Sequence, residues 1–233
     1  MDVSDKTLEA LRALDTPTVC NALEIVAPER RGFGYTIRPL FCAAPELPPM
    51  VGFARTARIR AQHPPAASKS DQAYAKRSYY RYVAEGPKPS VVVIQDLDET
   101  PGYGSLWGEV NSNVHKGLGA LGVITNGSVR DLGERADGFQ FLAGMVGPSH
   151  AWVRVVDFGG TITVHGMAVA DGDLVHADRH GAVIVPLEVA DQVAGAADLI
   201  ARREAVIITA AQARDFTIDK LERATKEAQA IER

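Results

Sequence analysis

Cysteine is nearly absent from this chain, which carries only Cys20 and Cys42 among 233 residues. Two thiols cannot build a disulfide framework at this length, and such sparse use suits a reducing compartment. Long hydrophobic runs are missing as well. No window approaches the roughly 18 to 20 apolar residues that a membrane span needs, and the opening Met-Asp-Val-Ser-Asp-Lys has no cationic segment followed by an apolar stretch. These absences predict a cytoplasmic protein, so the sequon Asn126-Gly127-Ser128 would never meet the glycosylation machinery. Its Asn-Gly reads instead as a tight turn. A dominant charge of one sign is also lacking: 29 acidic against 25 basic residues leave a net charge of -4 and no broad positive field for a polyanion. Neither nucleic acid nor a membrane is an expected partner.

What is present is enough apolar material for one substantial core, since 46% of the residues are hydrophobic. Leu8, Leu11 and Leu14 form one helical stripe, and Thr16-Pro17 supplies a cap and an N1 proline for a second helix through Val26. Residues 30–50 lack any sustained period and read as an ordered loop. The patterns then predict a strand over 51–61, a helix over 70–84 and a buried strand over 91–94 that ends in the acidic turn 96–99. A helix over 106–118 and a strand over 121–125 follow. Further strands are expected at 139–142, 151–156, 162–164, 174–176 and 182–185, and from Glu188 onward two Ala-rich helices divide near 215–217. Alternating strands and helices, then strands, then closing helices describe an α/β sandwich. No linker divides it, so a single domain is expected over 1–233, with 188–233 its C-terminal helical segment.

The chemistry is concentrated between Ser105 and Asp131. The backbone amides of Gly108, Glu109, Val110 and Asn111 would open a helix, where unpaired N–H groups and the helix dipole attract an anion. Arg130 offers a planar fork matched to a carboxylate, and Asp131 a hard oxygen ligand matched to Mg2+ or Mn2+. An Arg-Asp pair alone is usually a solvated surface turn. Here it follows an apolar strand, the position where α/β proteins place ligand groups, and the combination suits a keto-acid substrate.

In these residues the sequence resembles the family that contains the regulator of ribonuclease activity A and the 4-hydroxy-4-methyl-2-oxoglutarate and 4-carboxy-4-hydroxy-2-oxoadipate aldolases. That family carries an acidic residue, twenty intervening positions and then Arg-Asp, a spacing that Glu109 and Arg130-Asp131 reproduce. Val51-Gly-Phe-Ala-Arg-Thr-Ala looks like its first long strand, and Asp171-Gly-Asp173 with Ala177 to Pro186 looks like its closing signature. The resemblance covers most of residues 16–205. It implies a layered α-β-β-α sandwich of the swivelling β/β/α type, assembled as a homotrimer or hexamer with sites between subunits. It also implies that Arg130 and the Gly108 to Asn111 amides hold a pyruvyl group, that Asp131 holds a divalent metal, and that Glu109 is the catalytic acid or base acting through water. The activity implied is a metal-dependent pyruvate-type aldolase, with oxaloacetate decarboxylation as a companion reaction. The alternative within the family is a protein-binding regulator of ribonuclease activity without catalysis. Two departures stand out: Glu109 replaces the aldolases' Asp, and Asn126-Gly127 replaces a common Asp-Gly. Segments 30–50 and 63–89 go beyond the minimal family core and are candidates to line a different acceptor pocket.

Other features compete for attention. Gly117-Leu-Gly-Ala-Leu-Gly122 spells a dinucleotide fingerprint, but its glycines end a helix and enter a strand, the reverse of the required order. Asp157-Phe-Gly159 echoes a kinase element without its companions. His176, Asp178 and His180 alternate, and would share one face of a strand as metal ligands unless Asp178 to Gly181 is a turn. His115 is either a pocket or a core histidine. Glu204 is either an exposed helix charge or a residue reaching a neighbouring subunit's site, as the family resemblance implies. Trp107 and Tyr103 either cover a substrate or pack an interface.

Overall fold

The computed structural model describes residues 3–232, so Met1, Asp2 and Arg233, the outermost residues of the expected 1–233 domain, lie outside the described residues. Helices α1 (Asp5–Arg12) and α2 (Thr16–Val26) open the chain. Asp15, not Thr16, caps α2, because its carboxylate accepts from the Thr18 amide and Thr16 is already helical. The chain continues through β1 (Phe41–Cys42), β2 (Met50–Arg60), α3 (Lys69–Glu85), β3 (Ser90–Asp96), α4 (Glu109–Gly117), β4 (Ala120–Val129) and β5 (Gln140–Val146). It closes with β6 (Arg154–Phe158), β7 (Ile162–Val164), β8 (Met167–Val169), β9 (Leu174–Asp178), β10 (Gly181–Val185), α5 (Val193–Ala211) and α6 (Ile218–Gln229).

One mixed sheet runs in the order β1-β5-β4-β3-β2-β9-β10, with β6 added to the far half of β2 and β7-β8 forming a separate hairpin. The pairs β2-β3, β3-β4 and β4-β5 are parallel, and the rest are antiparallel. Both faces of the sheet are covered, which explains why Val91-Val92-Val93-Ile94 is continuously apolar instead of alternating. Val91 and Val93 point into a core closed by Ile162, Val164, Met167 and Val169 of the hairpin. Val92 and Ile94 point the other way, toward Tyr79 and Val83 of α3 and Trp107. At the β9-β10 end the helical face is formed instead by α1, α2 and α5, which close over Val51, Leu174, Val183 and Val185. Each fully buried aliphatic side chain contributes roughly 1.5 to 3 kcal/mol, so every sheet residue that faces a covered side holds the register. The α/β sandwich expected from the element order is the architecture found. Among the described residues, no helix is long and apolar enough to cross a membrane.

Three local departures matter for the site. Helix α4 starts at Glu109 and not near Leu106, because Trp107 is fully buried and bridges Val129 as a short parallel strand. Asn126-Gly127 is not a turn but lies within β4, where the register against β5 shifts between Thr125 and Ser128. The Asn126 side chain replaces the missing ladder: its Oδ1 accepts from the Asp96 amide at 2.7 Å and its Nδ2 donates to the Asp96 carbonyl at 3.0 Å. Strands β1 and β8, two and three residues long, carry no readable period.

The parallel strands β2, β3 and β4 all end at the same edge of the sheet, which places Arg60, Asp96 and the Val129-Arg130 step beside one another. In α/β sheets ligand sites form beyond such carboxyl ends.

Candidate active site

Arg130 and Asp131 follow directly from β4, and the Arg130 amide donates to the Trp107 carbonyl at 2.9 Å. That bond straps the segment preceding α4 to the end of β4, so the helix N-terminus and the Arg-Asp pair are held together. Asp131 has φ 51°, a left-handed conformation that Asp tolerates better than most residues. Its Oδ2 accepts from the Glu109 amide at 3.3 Å, and its Oδ1 lies 3.3 Å from Arg130 Nη1. Gly108 is required by this approach, because a Cβ there would collide with the Asp131 carboxylate and meet Arg130 Cγ at 3.2 Å. The amides of Val110 and Asn111 have no backbone partner among the described residues.

Arg130 is 35% exposed at its side chain, yet its Nε is buried and without a hydrogen-bond partner. The Nε atoms of Arg55 and Arg135 are buried and unpartnered in the same way, so what a bound carboxylate would meet at the cleft is the partly exposed outer part of the Arg130 guanidinium. Trp107 is fully buried in the core and is neither a lid nor part of the cleft lining. It packs on His115 with ring centroids 4.5 Å apart and stacks on Phe139 at 5.8 Å. Tyr103 is 56% exposed. His115 belongs to the core: its Nδ1 donates to the Asn111 carbonyl at 2.7 Å, and its Nε2 accepts the Tyr79 hydroxyl at 2.9 Å. Burial pushes its pKa down to about 4, against the opposing Asn111 hydrogen bond, so the ring is neutral near pH 7. The Asn111 side chain is engaged by the Tyr80 hydroxyl at 2.8 Å, which leaves only its backbone amide free for a ligand.

Beside Arg130 opens a cleft of about 690 Å³, lined by Leu106, Val110, Asn111 and Arg130 on one side. The Glu109 side chain is exposed, makes no hydrogen bond and is not part of the cleft lining; neither are Gly108 and Asp131, which sit at its margin. Segment 63–89 does line the cleft, through Pro65 to Ala67, Gln72, Lys76 and Tyr80 among others. Segment 30–50 does not. Its residues 34–36 pad the β10 edge instead, with the Thr36 amide donating to the Ala182 carbonyl at 2.9 Å and the Ile184 amide to the Gly34 carbonyl at 2.8 Å, while Phe41–Cys42 adds β1 beside β5 at the other end of the strand order. Arg60, Lys76 and Arg154 also face the cleft. No local pattern marks them, because tertiary folding alone brings positions 60, 76 and 154 together.

The alternating His176, Asp178 and His180 make no metal site. His176 is buried and bonded to the Leu11 and Leu14 carbonyls and to Thr16 Oγ1, while Asp178 accepts from the Thr16 and His180 amides in the hairpin turn. Glu204 is exposed on α5, a helix that packs on α2 and α6 and contributes nothing to the cleft within this chain. Gly117 ends α4 and Gly122 lies in β4, so the glycine fingerprint runs from helix to strand. Asp157 simply pairs with Arg58 at 3.1 Å.

Among the described residues no three His, Cys, Asp or Glu side chains converge as a metal cage. Asp131, whose carboxylate meets both Arg130 and the Glu109 amide, is the candidate to hold a cation. That sparse donor set fits Mg2+, which keeps several waters and takes one or two carboxylates together with oxygens of the substrate. It does not fit zinc, which takes three or four protein ligands.

A family model described as RraA-like, Aldolase/RraA, matches residues 16–184. The chain belongs to this RraA-like family. The match takes in α2, the whole sheet apart from the last residue of β10, and every residue at the Arg130 cleft. Among solved structures, an uncharacterized protein from Pseudomonas syringae pv. tomato str. DC3000 superposes with a TM-score of 0.71 at 21% identity, covering 97% of this chain and 96% of that one. RraAS2 of Streptomyces coelicolor, described as an unusual member of the RNase ES inhibitor RraA protein family, superposes with a TM-score of 0.68 at 20% identity, covering 88% and 96%. At these identities the RraA-like likeness is one of fold. Among curated proteins none matches the chain.

Proposed function

We propose that this RraA-like protein is a divalent-metal-dependent carbon–carbon lyase that cleaves a 4-hydroxy-2-oxo acid to pyruvate, with decarboxylation of oxaloacetate as a related activity. The observation that carries this reading is the partly exposed Arg130 guanidinium at the cleft beside the Asp131 carboxylate, which itself meets the N-terminus of α4 through the Glu109 amide. Arg130 binds the substrate carboxylate with two parallel N–H donors, and the free Val110 and Asn111 amides add a partial positive charge at the same point. Mg2+ or Mn2+ held by Asp131 would supply a Lewis acid for the substrate carbonyl. As the carbon–carbon bond breaks, its electron pair moves to the pyruvyl half, where Arg130 already faces the growing negative charge. Glu109, exposed and free of hydrogen bonds, is the base that takes the acceptor hydroxyl proton through a water. No Schiff-base lysine enters the scheme.

The test is pyruvate release from a panel of 4-hydroxy-2-oxo acids and oxaloacetate. Turnover is expected with Mg2+ and absent after chelator treatment. Full turnover in excess chelator, with no metal found by elemental analysis, would overturn the mechanism.

We also propose assembly as a homotrimer or hexamer. Exposed apolar side chains at Tyr103, Met145, Val146, Trp152 and Val156 cluster on the elements around the cleft, and a subunit contact would cover them. Light scattering is expected to give a mass of three or six chains, and a fully active monomer at micromolar concentration counts against it. The alternative reading, a regulator of a ribonuclease, would use such a surface for another protein, and absence of turnover on the whole panel would favour it.

A further inference from the structure

The cleft beyond Arg130 carries more positive charge than a pyruvyl group needs. Arg60 and Arg154 are directly opposed across the β2-β6 pair, and both line the cleft. Like charges opposed in an antiparallel pair repel and destabilise it. Little compensates them. Arg60 Nη1 is 3.9 Å from Asp98, whose other carboxylate oxygen is already committed to the Ala61 and Gln62 amides at 2.6 and 2.8 Å. The Arg154 guanidinium donates only to the neutral carbonyls of His63 and Trp152, at 2.7 and 3.2 Å. Lys76 reaches in from α3, over the Tyr80 ring at 5.6 Å, and forms no ion pair. Asp71 is the one carboxylate lining the cleft, and none of these cations pairs with it.

We propose that Arg60, Lys76 and Arg154 form a second anion subsite that binds the far end of an extended 2-oxo-acid substrate. The inference rests on the keto-acid reading of Arg130. Strand β3 separates the end of β2 from the end of β4, so Arg60 lies about two strand spacings from Arg130, roughly 10 Å, and Arg154 three, roughly 14 Å. Val155, Val156 and Ala75 add apolar surface to the cleft wall. The substrate class that matches is a 2-oxo acid whose acceptor half is an apolar spacer ending in an oxyanion, either carboxylate or phosphate. Oxaloacetate is too short to span the two subsites.

Isothermal titration of the full chain in Mg2+ buffer tests this. The first comparison is 2-oxooctanedioate against 2-oxooctanoate, equal in length and differing only in the terminal carboxylate. The diacid is expected to bind roughly tenfold tighter, the effect of one charge-assisted interaction. The double variant Lys76→Met with Arg154→Met is expected to erase that advantage while leaving pyruvate affinity unchanged. Phenylphosphonate, with an oxyanion and an apolar ring but no keto acid, reads the second subsite alone. It should bind the native protein and Arg130→Met equally and lose at least tenfold in the double variant, and a phosphonate that outcompetes phenylacetate would assign a phosphate end. Equal affinity of the diacid and monoacid in the native protein, or an advantage that survives in the double variant, overturns the proposal. Pyruvate affinity that is unchanged in Arg130→Met would instead sink the keto-acid reading, and the phenylphosphonate result would still decide the second subsite.

Discussion

Asp131→Ala abolishes divalent-metal-dependent pyruvate release while the protein stays folded. The reason is chemical: Asp131 is the proposed metal ligand, and among the described residues no three-ligand cluster stands in reserve. Loss of the electron sink removes several kcal/mol of transition-state stabilisation, and each 1.36 kcal/mol is tenfold in rate, so turnover should fall by roughly a thousandfold or more. The change also touches the backbone. At φ 51° an alanine is strained by roughly 1 to 2 kcal/mol, and the Glu109 amide loses its acceptor. Asp131→Asn separates the two effects, since Asn accepts the left-handed conformation and keeps an oxygen for Glu109 but carries no charge. Both variants should be inactive, with Asp131→Asn retaining the native melting temperature. Near-normal release by a folded Asp131→Asn protein would remove Asp131 from the mechanism.

Arg130→Lys lowers kcat/KM by roughly ten- to a hundredfold although it conserves the charge. A lysine ammonium is a point donor and cannot reproduce two parallel bonds to a carboxylate. Losing one charge-assisted bond costs about 1.5 to 3 kcal/mol, which sets the expected range. Metal content should be unchanged, which distinguishes this variant from those at Asp131. If Arg130→Lys and Asp131→Asn both released pyruvate normally, the protein-binding regulator would become the better description, and the exposed apolar rim around Trp152 and Val156 would be the surface to study.

The long elements were legible in the sequence because their periods are set by what covers them. The fully apolar run 91–94 announced a strand covered on both faces, and Ser68, Asp15 and Thr217 each cap a helix whose N-terminus the pattern locates within a residue or two. The errors lie where tertiary contacts override local preference. Asn126-Gly127 has the composition of a turn, but the Asn126 side chain pairs with the Asp96 backbone and keeps the strand running. Ser105 to Trp107 has the composition of a helix start, but burial of the Trp107 indole and its bridge to Val129 hold the chain extended until Gly108.

The same division holds at the site. Glu109, Val110, Asn111, Arg130 and Asp131 are singled out by the resemblance of their acidic-x20-Arg-Asp spacing to the family, and one short αβ unit brings the start of α4 and the end of β4 together. The amphipathic patterns likewise determine the α/β class, the sheet's double cover and the helical C-terminus. Only the tertiary structure decides that Trp107 is a core residue, that His115 and His176 are buried core groups and that 63–89 walls the cleft while 30–50 does not. It alone brings Arg60, Lys76 and Arg154 to one cavity. Local sequence encodes propensity and periodicity, which act over a few residues, whereas the meeting of a strand end, a helix face and an edge strand depends on how the whole sheet is ordered.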